Sequence, residues 1–208
     1  MFIRIALILV GAYLLGSLPV GYLVVKCAKG VDLTKVGSGH TGATNALRTA
    51  GALSGGLTLL FDFGKGLAAV LLAEHLSVGV PGAKWLIALA GLLAVVGHNY
   101  SVFLKFHGGV GTMVSLGAGV ALMFSGTLAA WVLGLALIIV TRYASLGSLV
   151  IAVLLPIACL VGAIVGAWPY QNLTFALGAA ALSIYGLRAN IARLRSGTER
   201  RVGQHLSL

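Results

Sequence analysis

Four polar, glycine-bearing segments hold most of the side chains that can do chemistry in this sequence. The first is Gly37-Ser38-Gly39-His40-Thr41-Gly42-Ala43-Thr44-Asn45, followed by Arg48. Glycines let the backbone curl so that successive N–H groups share one concavity, hydroxyls add donors, and an arginine clamps a phosphate through two N–H groups. The chemistry is anion binding. Gly37, Gly42 and Thr44 approach the nucleotide-binding G-x-x-x-x-G-K-[ST] pattern, but Ala43 stands where its lysine belongs, so a nucleotide site of that type is not expected. A plain flexible link between two helices is the alternative for the same residues.

The second segment, His107-Gly108-Gly109-Val110-Gly111, opens an apolar run and follows His98-Asn99-Tyr100 and Lys105. Its N–H groups at a helix start suit an anion, and His107 can donate to a phosphate or act as a base; an interfacial hydrogen-bonding role is the alternative. His98 and Asn99 read as satisfying a helix end. The third, Thr141 to Ser148, places Arg142, Ser145 and Ser148 at another helix start, where capping also accounts for the serines. The fourth runs from Arg188 through Asn190 to Glu199, with a basic face lying on lipid as its alternative.

What is missing narrows the reaction. Asp32, Asp62, Glu74 and Glu199 are the only acidic residues, too dispersed for a magnesium-binding cluster. There is no Cys/His metal spacing and no G-x-S-x-G elbow, and His40 is followed at the His-x4-Asp spacing by Asn45. No metal and no cofactor is expected. Such segments fit substrates that already carry their reactive groups.

These segments need scaffolding by lipid-facing helices. Of 208 residues 59% are hydrophobic and 9% charged, and mean hydropathy is +1.05. That leaves too little charge to cover a soluble surface and excludes a disordered chain. Cys27 and Cys159 cannot make a disulfide framework. The net charge of +10 reads as membrane-flanking charge, and no nucleic acid is expected.

Apolar runs of spanning length extend over residues 2–25, 52–73, 85–104, 112–140, 146–168 and 170–187. The first lacks a small-x-small cleavage site before Lys26 and is expected to be retained. The fourth would make a straight helix of about 43 Å, beyond a core of about 30 Å, so it is one strongly tilted helix or turns back near Gly126 as a hairpin or a re-entrant pair, and the charge balance favours the turn. That turn gives about seven crossings, with the N-terminus outside and the C-terminus cytoplasmic. Lys26, Lys29, Lys35, Arg48, Lys105, Arg142, Arg188, Arg193, Arg195, Arg200 and Arg201 then all lie inside, as the positive-inside tendency asks. Asp62 and Lys65, three apart, are expected to pair within a span as scaffold. Residues 1–208 read as one all-α integral membrane domain with no repeat.

The order and spacing of Leu15 to Pro19, Gly37 to Arg48, Phe61 to Gly66, Gly97 to Gly111, Thr141 to Ser148 and Asn190 to Glu199 resemble bacterial acyl-phosphate:glycerol-3-phosphate acyltransferases of the PlsY type. The resemblance spans nearly the whole chain and marks a divergent member. It implies transfer of a fatty acyl group from acyl phosphate to the 1-hydroxyl of glycerol 3-phosphate, in the bacterial plasma membrane with the site facing the cytoplasm. By motif position it implies glycerol-phosphate contacts from Ser38, Arg48 and Asn190, with His107 beside them as a fourth catalytic candidate. Gly37, Gly39, His40, Thr41, Thr44, Asn45, Gly108, Gly109, Gly111, Ser145 and Ser148 complete the expected substrate cradle. The family usually carries lysines where this chain has His107 and Val110, asparagine at His40, and a Val-Ala-Thr run at Thr112 to Val114. Two lost charge-assisted contacts cost roughly 3 kcal/mol or more. A member that keeps the lipid cavity without this reaction, or uses another acceptor, is the alternative function.

Overall fold

The computed structural model describes residues 1–204. Nine α-helices are formed among them and no strand: α1 (Phe2–Ser17), α2 (Val20–Lys29), α3 (Ala43–Leu76), α4 (Ala83–Asn99), α5 (Thr112–Leu122), α6 (Phe124–Thr141), α7 (Ala144–Ile164), α8 (Asn172–Gly186) and α9 (Arg188–Arg195). By length and apolarity Phe2–Lys29, Ala43–Leu76, Phe124–Thr141 and Ala144–Ile164 can each cross a membrane, and α8 with α9 makes a fifth candidate bent by 57°. Their outward faces are apolar, as lipid demands: Phe2 and Val140 are each 82% exposed.

The first expected span is broken at Pro19, which has no N–H to continue the helix. The carbonyls freed there find distant donors. Lys65 Nζ donates to Leu18 O at 3.0 Å, and Ser101 Oγ to Ser17 O at 2.6 Å.

α3 is interrupted at Gly51, whose φ of 87° is open to glycine and costly for other residues. The break turns the chain back on itself. A Cβ on Gly55 would lie 2.7 Å from Leu47 Cβ and 3.3 Å from Ala43 O, positions that a straight helix keeps many ångströms apart. The short arm from Ala43 therefore lies against the long one, which begins where residues 52–73 were expected to span.

The run 112–140 does divide, but at Met123 and not at Gly126. Met123 is extended (φ −160°, ψ 70°) and buried, and Asn172 Nδ2 donates at 2.8 Å to the Leu122 carbonyl that the break leaves free. Gly126 lies inside α6, where a Cβ would come within 3.2 Å of the Trp168 ring. Its smallness serves packing.

The interior is built on small residues, with Ala88, Ala90, Ala94 and Ala118 fully buried. Close backbone approach does the rest: a Cβ on Gly16 would fall 2.1 Å from Ala94 O, and one on Gly66 2.1 Å from Val114 O. Between helices surrounded by lipid, van der Waals packing of this kind supplies the association energy.

Candidate functional site

Three helix starts converge on one cavity of about 230 Å³: Gly42 to Asn45 opening α3, Val110 to Met113 opening α5, and Ala144 to Ser148 opening α7. Each presents backbone N–H groups and the positive end of its dipole, so their combined field favours an anion. Arg48, Ser38, His40 and Asn190 also line this end. Asp62, His98 and Glu199 also reach the wall, and most of the rest of it is apolar. On α6, Trp131, Leu135 and Ile138 follow one another at helical spacing along one face, and Leu59, Met113, Leu116 and Ile151 line the cavity with them. A polar head with an apolar continuation fits an amphiphile carrying a phosphate.

Arg48 is 8% exposed, and its Nη2 donates to the carbonyls of Arg200 (3.0 Å) and Arg201 (3.4 Å). Its Nε is buried with no partner among the described residues. One edge of the guanidinium is thus tied to the C-terminal tail and another is left unspent. Ser145 Oγ and Asn190 Nδ2 both donate to Glu199 Oε1, at 2.9 and 2.7 Å, while Arg193 Nε donates to Oε2 at 2.7 Å. Burial works to raise the Glu199 carboxyl, but the donors from Asn190, Arg193 and Ser145 together hold it below its ordinary value.

Asn45 turns out to organise the loop. Its Nδ2 donates to His40 O (2.9 Å), Val36 O (3.0 Å) and Leu33 O (3.3 Å), and its Oδ1 accepts from Ser38 N–H. It borders the cavity, but its amide is spent holding Ser38 and His40 in place. His40 Nδ1 donates to Gly108 O at 3.4 Å. Burial pushes its imidazole below the usual histidine value, against the Gly108 carbonyl, so it is neutral at pH 7.

The expected residues therefore divide. Ser38, His40, Thr44, Asn45, Arg48, Gly111, Ser145, Ser148 and Asn190 share the cavity wall. His107 does not: it is exposed, with its ring against the carbonyls of Leu104 and Lys105. Gly37, Gly39 and Thr41 shape the loop behind the wall, and Thr41 N–H donates to Gly108 O. Gly108 and Gly109 also lie behind it. Their smallness admits the end of α4, since a Cβ on either would come within 2.0 Å of a His98 atom. Gly109 N–H is spent on His98 O.

Two features escape the sequence reading. Glu199 joins the site from a tail that reads as a basic lipid-facing segment; that it is one of only four acidic residues, set among arginines, is the one signal available. Asp62 and Lys65 do pair, at 2.9 Å, but His98 joins them and both Asp62 and His98 line the cavity.

The glycerol-3-phosphate acyltransferase family model matches residues 6–197. Glycerol-3-phosphate acyltransferase 2 of Moorella thermoacetica is 45% identical, covering 95% of this chain and 97% of that protein. The glycerol-3-phosphate acyltransferase of Shouchella clausii is 41% identical, covering 96% of each. A crystal structure of PlsY (YgiH), an integral membrane glycerol 3-phosphate acyltransferase in its glycerol 3-phosphate form, superposes with a TM-score of 0.85 at 38% identity over 96% of both chains. Its lysophosphatidic acid form gives 0.82 at 37% identity, again over 96% of both.

Proposed function

The chain belongs to the glycerol-3-phosphate acyltransferase family and acylates glycerol 3-phosphate, and we propose that the acyl donor is an acyl phosphate bound in the cavity with its phosphate among the helix starts. The observation that carries this is the convergence of the starts of α3, α5 and α7 with Arg48 on one cavity that also carries the apolar face of α6. Ser38, Arg48 and Asn190 hold the glycerol phosphate. Thr44, Ser145, Ser148 and the Gly111 end of α5 hold the donor's phosphate, while the α6 face receives the acyl chain.

Acyl phosphate is a mixed anhydride, so the protein needs chiefly to orient and to stabilise charge. The 1-hydroxyl oxygen attacks the acyl carbonyl carbon, the bond from that carbon to the phosphate oxygen breaks, and inorganic phosphate leaves. The hydroxyl proton passes to a substrate phosphate oxygen. The products are lysophosphatidic acid and phosphate.

We place the protein in the bacterial plasma membrane as one polytopic unit with about seven crossings, N-terminus outside and this cavity facing the cytoplasm. The basic residues around the cavity support that orientation. No relative described above supports the reading as a member without this reaction.

The test is phosphate release from palmitoyl phosphate by the purified, reconstituted protein. Release that depends on glycerol 3-phosphate is expected; release that ignores the acceptor would sink the proposal. Any gain from protonating His40 is expected only as pH falls below the ordinary histidine value near 6.5, because burial depresses that group.

The altered loop makes a second prediction. Val110 lines the cavity and His107 does not, so Val110→Lys is expected to raise kcat/KM for acyl phosphate by about tenfold, one charge-assisted contact, while His107→Lys changes it less than about twofold. Steady-state kinetics of the two single variants decide it, and a gain confined to His107→Lys would move the phosphate away from the cavity.

A further inference from the structure

The buried cluster of Asp62, Lys65 and His98 sits beside the cavity without a part in the scheme above. Lys65 Nζ lies 2.9 Å from Asp62 Oδ1, 3.0 Å from Leu18 O and 2.8 Å from His98 Nδ1, so its three donors match three partners on three parts of the chain. Lysine ammonium has no acceptor, and Nδ1 must therefore meet it with a lone pair. The ring proton then lies on Nε2. If the proton instead sits between Nδ1 and Asp62 Oδ1, 3.4 Å apart, as an imidazolium, Nε2 still carries a proton. Either way Nε2 is a donor.

Nothing among the described residues accepts from it. His98 is 6% exposed and lines the cavity. A Cβ on Gly109 would fall 2.0 Å from Nε2, so any larger residue there would displace the ring or cap its nitrogen. The N-terminal end of α5, at Gly111 to Met113, borders the same cavity. The Asp62 carboxylate that also reaches the wall is neutralised by Lys65.

We infer that His98 is a phosphate-contacting residue, whose Nε2–H donates to an oxygen of the donor substrate's phosphate and stays with it as it leaves, while Asp62 and Lys65 are positioning residues that fix the ring and its proton. This rests on the reading of the cavity as an acyl phosphate site. It accounts for a buried charged cluster, expensive to bury, lying beside the cavity.

Two amide variants separate this role from a structural one. Glutamine places its N–H near the position of Nε2; asparagine places its amide near Nδ1, where it can still meet Lys65 and Asp62. The readout is inorganic phosphate binding to the full chain in detergent, followed by the Nε2–H resonance of protein labelled with 15N-histidine, and by the apparent Kd of each variant, with thermal unfolding as the fold control. Phosphate is expected to shift the wild-type Nε2–H signal. His98→Gln should keep the Kd within about threefold, and His98→Asn and His98→Phe should weaken it about tenfold. The KM for acyl phosphate should follow the same order.

No phosphate-dependent shift in the wild type, or an order in which asparagine binds well and glutamine poorly, overturns the inference. Phosphate binding needs no turnover. Binding through His98 without acyl transfer would sink the proposed function alone, and acyl transfer with the reversed order would sink the role of His98 alone.

Discussion

Arg48→Ala is expected to reduce acyl transfer by about two to four orders of magnitude in protein that still folds. The guanidinium is nearly sealed from solvent, and Nη2 is spent on two tail carbonyls while Nε is buried without a partner. A buried donor left unmet carries a cost of about 1–3 kcal/mol unless a ligand meets it. A phosphate oxygen meets it well. Two charge-assisted hydrogen bonds at about 1.5–3 kcal/mol each, with tenfold per about 1.4 kcal/mol, give the expected range.

Arg48→Lys is expected to recover little, because an ammonium cannot hold the Arg200 and Arg201 carbonyls and a phosphate through one planar fork. The measurement is kcat and KM for both substrates, with the thermal midpoint of each variant in detergent. A KM for glycerol 3-phosphate that rises far more than that for acyl phosphate fits the proposed contact. Wild-type activity in folded Arg48→Ala protein would remove Arg48 from the site.

What the sequence reveals here follows how far apart the partners lie along it. Asp62 and Lys65 are one helical turn apart, so their pairing is readable, whereas His98 completes the cluster from another helix and is not. The glycine segments announce anion chemistry because N–H display at helix starts is local. They do not say which glycines face the cavity: Gly111 does, while Gly108 and Gly109 are small to admit the end of α4.

His107 illustrates the same limit, since motif position alone cannot tell a loop's inner face from its outer one. The division of run 112–140 was legible from its length taken with the charge balance that a single crossing would upset. Its place was not, because glycine marks both turns and close packing, and at Gly126 the Trp168 ring supplies the reason. Met123 adopts an extended conformation open to any residue, so its identity carries no signal.

Glu199 is the strongest case of a site residue hidden by distance, reaching Ser145 from 54 positions away. Glu199→Gln is expected to lower kcat about a hundredfold, the loss of two charged hydrogen bonds at the low end of their range. Three donors converge on two carboxylate oxygens, and an amide replaces one of those oxygens by an NH2 group that faces donors. With the NH2 at the Oε1 position Asn190 and Ser145 lose the acceptor that fixes their place on the cavity wall, with it at Oε2 Arg193 faces a donor, and in both cases Arg193 loses its charge partner.

Acidification should act on the same bonds. The folded-state carboxyl is held below its ordinary value near 4.5, so its contribution to stability is fully present above that value and fades as pH falls through the depressed one. The wild-type thermal midpoint is therefore expected to drop on acidification below about pH 4.5, and the Glu199→Gln midpoint to be lower at pH 7 and to change less over that range. Parallel pH profiles for the two proteins would show that Glu199 does not carry the acid sensitivity. An unchanged kcat in Glu199→Gln would show that Asn190 and Ser145 hold their positions without it.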